Sequence, residues 1–394
     1  MKVAFIGQKG IPMIFGGVEK HVEEVSTRLA ARGHAVIVYT RPNYTNKQLK
    51  KYKGVQLISR PVFLTKHLEA ISHTFFSVID VIFRKKIDII HFHSIGPSFL
   101  IFLVKLFKPL TPVVATFHSQ CYAHEKWSKF ARFSLRLGEF VCCTSSDEVI
   151  TVSKELKQYA ENKYRRRVEY IPNGVPLYEQ KQANIIRKHW GLKKGEYILS
   201  VSRIIQVKGL HYLIDAYKQV NTYKKLVIVG DGAYSDDYVN KLKEMAAEHP
   251  NIIFTGRRQG AVLKELYSNA YLFAQTSDTE GMPIALLEAL SYSLPVLMSD
   301  ISGNRAAAGD VGFVFKKGNV EDLQKILQYA LNHPVVAANK GKHGRKRAER
   351  YFEWDKIIDQ IEEKYWQAQM TSMEKRGHLP RVIYLKKVIA QLFL

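Results

Sequence analysis

The sequence predicts an α/β protein made of two doubly wound, mostly parallel-sheet units in tandem. Three observations carry this expectation. Short β-branched runs alternate with amphipathic helical stretches, a pattern that argues for sheets covered by helices. The alternation pauses at a turn-rich segment, Ile171-Pro-Asn-Gly-Val175, and then restarts. The chain has 394 residues, a length that suits about two domains of roughly 100–200 residues each.

In the first unit, Val3–Ile6, Ala35–Tyr39, Ile87–His91, Val113–Thr116 and Glu148–Val152 read as strands. Between the first two, Val18, Val22, Val25 and Leu29 fall at helical spacing, while Glu19, Glu23, Glu24 and Arg28 are expected to face away. A polar stretch rich in Lys, Gln and Asn follows Val175. The second unit then repeats the rhythm, with strands at Ile198–Val201, Lys225–Val229, Ile252–Thr255, Tyr271–Ala274 and Pro295–Met298. Helices are expected near Leu210–Val220, Asp236–Glu248, Val262–Ser268 and Ile284–Tyr292, and again from about Val335 to Met370. The expected division is 1–175, 176–365 and a tail, 366–394. The tail ends in Pro380–Leu394, a candidate basic amphipathic helix, either packed on the body or anchored at a membrane surface. Ligands of such folds bind at the carboxyl ends of the strands, so the expected site is a cleft between the two units.

Composition excludes several classes. Hydrophobic residues at 46% and charged residues at 24% give a globular balance, with no collagen or disorder signature. The apolar run Phe99–Val104 stops at Lys105, far short of the ~20 residues needed to span a bilayer. The chain opens directly on a strand-like run, so no signal peptide is expected. Cys121, Cys142 and Cys143 form no CxxC pair, which suits reduced thiols in a cytoplasmic protein better than a disulfide framework or a zinc site. Charge is the outlier: 59 Lys plus Arg against 36 Asp plus Glu leaves +23. Residues 1–180 hold 27 of the bases and 14 of the acids, and the last 24 residues hold 5 and 1. Such a field attracts phosphate-bearing partners. No nucleic-acid-binding motif is present, so nucleic acid is not an expected partner. An anionic membrane surface facing the basic first unit is expected instead.

Four constellations carry candidate chemistry, each just after a strand. The first is Gly7-Gln-Lys-Gly10, leading to Gly16-Gly17-Val-Glu19. Glycines between a strand and a helix let backbone N–H groups approach a phosphate; the alternative is only a tight turn. The loop is not GxGxxG and no acid follows the next strand, which counts against a dinucleotide cofactor. The second is Arg203 with Lys208, two cations able to neutralise a diphosphate and the charge developing as it leaves; the alternative is a surface pair. The third is Glu280-Gly-Met-Pro-Ile-Ala-Leu-Leu-Glu288. Pro283 suits a first helical turn, with Glu280 in the loop above it. Glu288 lies inside the helix among apolar neighbours, where a solvated position is a poor alternative, and its carboxylate suits paired sugar hydroxyls. The fourth is His91-Phe-His93 and Thr116-Phe-His118, both at strand ends. His91 reads as core, while His93 and His118 are open between core and ligand contact. Acidic partners for a metal are missing, and no Asp-x-Asp occurs, so no metal is expected.

Together these residues resemble the retaining glycosyltransferases of family 4, which have the GT-B fold of two Rossmann-like units facing each other across a cleft. The resemblance covers roughly residues 1–365 and rests on Gly16-Gly17-Val-Glu19, His118, Val152-Ser153, Ile171–Val175, Arg203 with Lys208, Gly230-Asp-Gly232 and Glu280 through Glu288. It implies that Gly16 and Gly17 approach the donor diphosphate, while Arg203 and Lys208 bind it and assist its departure. It implies that Glu288 holds the nucleotide ribose and that Glu280 contacts the donor sugar, with Gly281, Met282, Pro283 and Ile284 lining the donor and His118 beside the reacting centre. The implied reaction moves a hexose with retention, without metal or cofactor, from a UDP-, GDP- or dTDP-linked donor to a glycan or lipid-linked acceptor. The opening Gly7–Pro12 and Gly16–His21 segments also resemble a bacterial subset serving surface or exopolysaccharide synthesis. Expected departures from the family pattern are Ser293, where Gly is usual, and Ala306, where Glu is usual; they bear on a turn and on a polar contact near the nucleotide. Two rival readings are a non-catalytic nucleotide-sugar-binding or membrane-associated subunit of the same fold, and an epimerase acting on the donor itself.

Overall fold

The computed structural model describes residues 1–65, 68–120, 122, 129–232 and 236–375. Cys121 and the candidate amphipathic segment Pro380–Leu394 lie outside them. Two compact units are present. One comprises Met1–Thr151, Tyr159–Glu169 and the described residues from Ile358 to Lys375; the other comprises Val152–Gln158 and Tyr170–Ile357.

The first unit is built on β1 (Lys2–Ile6), α1 (Gly17–Ala31), β2 (Ala35–Thr40), β3 (Lys51–Tyr52), β4 (Val55–Ser59), α2 (Glu69–Phe83) and β5 (Ile89–His93). It continues through α3 (Ile95–Ser98), α4 (Ile101–Phe107), β6 (Val113–Phe117), α5 (Lys129–Ser145), β7 (Glu148–Thr151) and β8 (Glu169–Tyr170), with α6 (Lys154–Tyr164) divided between the units after Gln158. The sheet order is β3-β4-β2-β1-β5-β6-β7-β8. Its registered pairs are parallel except β3 with β4. The chain thus reverses its direction of travel across the sheet between β1 and β5. Strand β5 starts two residues later than its hydrophobic run suggests, because the Asp88 carboxylate accepts the Lys2 backbone N–H at 2.6 Å and leaves the ladder to begin at Ile89. Helix α1 buries Val22, Val25 and Leu29 as its spacing predicts. Glu19 departs from expectation: it is buried, because its carboxylate accepts the Lys9 backbone N–H at 3.1 Å.

The second unit holds α7 (Ile185–Trp190), β9 (Tyr197–Val201), α8 (Leu210–Lys218), β10 (Lys225–Val229), α9 (Asp236–Ala246), β11 (Ile252–Gly256), α10 (Gly260–Asn269) and β12 (Leu272–Gln275). Then come α11 (Ile284–Ser291), β13 (Val296–Ser299), α12 (Ser302–Ala308), β14 (Phe313–Phe315), α13 (Val320–Asn332) and α14 (Pro334–Tyr351). Its sheet is parallel throughout, in the order β11-β10-β9-β12-β13-β14. Leu213, Ile214 and Tyr217 of α8 pack with Ile198, Leu226 and Ile228 of the strands and Leu323 and Leu327 of α13. The long carboxyl-terminal helical stretch divides into α14 and α15 (Trp354–Lys375). The break has a local cause: the Phe352 carbonyl accepts the Val175 N–H at 2.7 Å, and Trp354 lies so close to Gly174 that a Cβ there would meet its ring at 2.4 Å. Beyond its first turn α15 belongs to the first unit, where Tyr365 bonds His91 and Lys364 pairs with Glu169. No described helix is long and apolar enough to cross a membrane.

Candidate active site

The second sheet reverses direction between β9 and β12, and this switch point is where ligands of doubly wound sheets bind. The two loops leaving these strands carry Arg203 with Lys208 and Glu280. They are laced together by backbone bonds: Asp278 N–H to the Val207 carbonyl at 2.8 Å, and the Thr276 hydroxyl to the Lys208 carbonyl at 3.0 Å. Gly209 permits this closeness. Its φ is +63°, and a Cβ there would lie 2.2 Å from the Thr276 carbonyl oxygen.

Lys208 Nζ pairs directly with Glu280 Oε1. The same oxygen accepts Gln275 Nε2 at 2.9 Å and the Ser277 hydroxyl at 2.7 Å. Both charged side chains are mostly withdrawn from solvent, at 15% and 12% exposure, so their attraction is little screened by water and salt. Arg203 is exposed. Its loop is tied to the turn after β10: Ile204 N–H donates to the Asp231 carbonyl at 2.8 Å, and a Cβ on Gly230 would meet the Ser202 carbonyl oxygen at 1.8 Å. The spacing of one exposed and one carboxylate-bound cation along a single loop suits an anion that arrives at Arg203 and competes with Glu280 for Lys208.

Pro283 is the N-cap of α11 and Ile284 its first residue, where the sequence places the start of this helix. Met282 is buried and its carbonyl accepts Asn173 Nδ2 at 2.9 Å. Glu280 and Gly281 lie against Gly303, where a Cβ would meet their carbonyl oxygens at 2.5 and 2.8 Å. Glu288 is half-buried one turn into α11. Tyr178 donates to its Oε1 at 3.4 Å. Burial, reinforced by the Glu288 charge, raises the pKa of Tyr267 and Tyr292 beside it.

The remaining predicted residues lie in the first unit, around its own switch point. Gly16, with φ +108°, caps α1, Gly17 begins it, and the Lys20 N–H donates to the Gly16 carbonyl at 3.1 Å. A Cβ on Gly16 would lie 1.9 Å from Glu19 Oε2, so glycine here is what admits the buried carboxylate. His118, just beyond β6, shares a 3.1 Å hydrogen bond between its Nε2 and His93 Nδ1. His21 of α1 stands edge-on to His118 with ring centroids 5.0 Å apart. Burial, and then mutual repulsion among these rings, holds His93 and His118 well below the usual histidine pKa, so both are neutral near pH 7. Ligand atoms of His21, His93 and His118 all lie within 4.8 Å of one another. Among the described residues this is the group able to hold a metal ion by geometry, and it contains no carboxylate. His91 is a core residue: Nδ1 bonds the Tyr365 hydroxyl at 2.7 Å and Nε2 the Thr116 hydroxyl at 2.8 Å.

Sequence reasoning missed Gln275, Ser277 and His21 as neighbours of the predicted groups. Strand alternation could have signalled Gln275, a polar residue ending a buried strand. Nothing local marks His21, which only the folded first unit brings against His93 and His118.

Comparison with known proteins decides the family. Residues 15–179 match the family described as Glycosyltransferase Family 4, and residues 182–347 match Glycosyl transferases group 1. The chain belongs to glycosyltransferase family 4. It is 27% identical over 326 residues to alpha-monoglucosyldiacylglycerol synthase of Streptococcus pneumoniae, covering 75% of this chain and 70% of that one. It is 25% identical over 373 residues to O-antigen chain mannosyltransferase C of Escherichia coli, covering 91% and 96%. The structure of Anabaena HepE in complex with UDP and glucose superposes with a TM-score of 0.77 at 21% identity, covering 93% of this chain and all (100%) of that one. The fold of this glycosyltransferase is therefore GT-B, with two Rossmann-like units.

Proposed function

We propose that this glycosyltransferase moves a hexose, with retention of anomeric configuration, from a nucleoside-diphosphate sugar to a glycan or lipid-linked acceptor in bacterial surface or exopolysaccharide synthesis. We place the reaction in the cytoplasm, at the inner face of the cell membrane, and assign it no metal or other cofactor. The observation that carries the proposal is the Lys208–Glu280 pair at the switch point of the second sheet. Support for the donor class comes from HepE, solved with UDP and glucose, and support for the acceptor class from relatives named for glycolipid and O-antigen chains.

In this account Arg203 and Lys208 receive the donor diphosphate and stabilise the charge that develops on the departing phosphate. Glu280, released from Lys208 but still held by Gln275 and Ser277, is free to accept sugar hydroxyls. Glu288 takes the ribose hydroxyls, and Gly281, Met282, Pro283 and Ile284 border the donor. Gly16 and Gly17 bring backbone N–H groups toward the diphosphate, and His118, neutral and fixed by His93, contacts the sugar. The departing phosphate itself takes the acceptor proton on the same face, which needs positioned cations rather than an enzyme nucleophile.

The test is transfer from radiolabelled donor by Lys208→Ala and Glu280→Ala proteins whose circular dichroism matches wild type. Loss of one oxyanion-stabilising cation is expected to cost about 10²–10³ in turnover. Normal turnover by both variants overturns the proposal, and donor interconversion without acceptor favours the epimerase reading.

A further inference from the structure

Helices α2, α4 and α5 leave an apolar face uncovered. Strand connections β4→β5, β5→β6 and β6→β7 all travel the same way across the sheet, so right-handed crossovers put their helices on one side of it. Helix α1, which connects strands in the opposite direction, falls on the other side. Helix α4 packs against both α2 and α5, so the three outer surfaces are continuous.

Each outer surface is apolar at helical spacing. On α2 the exposed residues Phe75, Ile79 and Phe83 recur every fourth position, and Phe83 is 80% exposed. On α4, Phe102 and Leu106 repeat the spacing, with Phe107 beside them. On α5, exposed Phe133, Leu137 and Phe140 follow at intervals of four and three residues, again one helical face. A contiguous aromatic surface of this kind is not an ordinary solvated face.

Among the described residues, the exposed charges on these helices and just after them have one sign. The acids of these helices are all engaged: Glu69 with Arg41, Asp80 with Arg60 and Arg84, and Glu139 in the interior with Tyr159, Lys163 and Tyr164. Lys85 and Lys86 at the end of α2, and Lys129 and Arg136 on α5, are exposed. An apolar surface rimmed by cations matches an anionic lipid interface, where aromatic rings sit at headgroup depth and basic side chains reach the phosphates. A second copy of the chain is a poorer occupant, because it would bring two such cationic rims together. We infer that the face formed by α2, α4 and α5 docks this glycosyltransferase on an anionic membrane. The inference deepens the membrane part of the proposed function and rests on it there alone. Vesicle binding is read without donor or acceptor, so its failure would leave the transferase reading standing.

The full chain is floated with phosphatidylglycerol–phosphatidylcholine vesicles and with pure phosphatidylcholine vesicles. Binding to the anionic vesicles, weakened by salt, is expected. The Ile79→Ser, Phe83→Ser, Leu106→Ser, Phe133→Ser protein should keep its melting temperature and lose at least ~10-fold in partition coefficient. A second measurement avoids dependence on that multiple variant: the emission that Phe83→Trp adds over wild type should shift to the blue when anionic vesicles are present. Wild-type protein that ignores the vesicles overturns the inference. So do a serine variant that floats like wild type and an added indole emission that does not move. Conversion of an oligomer to a monomer by the serine variant, with vesicle binding unchanged, would assign the face to self-association instead.

Discussion

Mild acid is expected to loosen the first unit well before the second. The first unit buries His73, His91, His93 and His118. Burial, with repulsion from Arg41, lowers the His73 pKa to about 3. Burial, with repulsion from neighbouring histidines, holds the other three well below the usual value. All four are neutral in the folded protein near pH 7, whereas in the unfolded chain they protonate near pH 6.5. As the pH falls through that value the unfolded state takes up protons that the folded state refuses, so stability present above it is progressively lost. Each such proton contributes about 1.4 kcal/mol per pH unit, so four contribute about 5 kcal/mol per unit below about pH 6. That is comparable with the whole stability of a typical domain, roughly 5–15 kcal/mol. Carboxylates with lowered pKa, such as Asp80 in this unit, add to the loss only at lower pH. In the second unit His211 is held down by burial, and it is only half-buried. Calorimetry and hydrogen exchange between about pH 7.5 and about pH 5 would test the argument. Protection of β1, β5 and β6 should collapse while that of β9, β10 and β12 persists. Equal protection of both sheets across this range would refute it.

Further outcomes follow from single positions. Ser293 adopts a left-handed φ of +60° just after α11, with its N–H on the Leu290 carbonyl and the Leu294 N–H on the Ala289 carbonyl. Glycine removes the Cβ strain of that conformation, so Ser293→Gly should stabilise by about 1 kcal/mol and raise the Tm by roughly 2–4 °C in calorimetry. Gly209→Ala should do the reverse, lowering the Tm and weakening transfer together, because its Cβ meets the backbone that holds the Lys208 and Glu280 loops in register. Activity should survive exhaustive chelation; loss of transfer on chelation, restored by a divalent ion, would contradict metal-independent catalysis and direct attention to His21, His93 and His118.

Much of the architecture is legible in sequence because parallel, fully buried strands are continuous apolar runs, as at Val3–Ile6 and Leu226–Val229. The helices that escaped notice are informative. Helix α2 carries Phe75, Ile79 and Phe83 outward as well as Val78 and Val81 inward, so it lacks the polar side that marks an amphipathic helix. Edge strands such as β14, three residues long, fall below any periodicity test. At the site, the types and order of Arg203, Lys208 and Glu280 could be read from motif spacing. Their direct pairing could not, because Glu280 reaches Lys208 across 72 residues only once β9 and β12 are neighbours. The Ser293 turn was legible in the opposite sense: a residue that departs from the usual glycine still adopts glycine's conformation.

The most direct test of the central claim is thermal stability against UDP, GDP and dTDP and their sugars, run in parallel on wild type and Lys208→Ala. One nucleotide family, at 100 times its dissociation constant, should stabilise the wild type by about 2.7 kcal/mol, and the variant should lose most of that gain. No stabilisation by any of them, or an equal gain in the variant, would contradict a donor diphosphate held at Lys208.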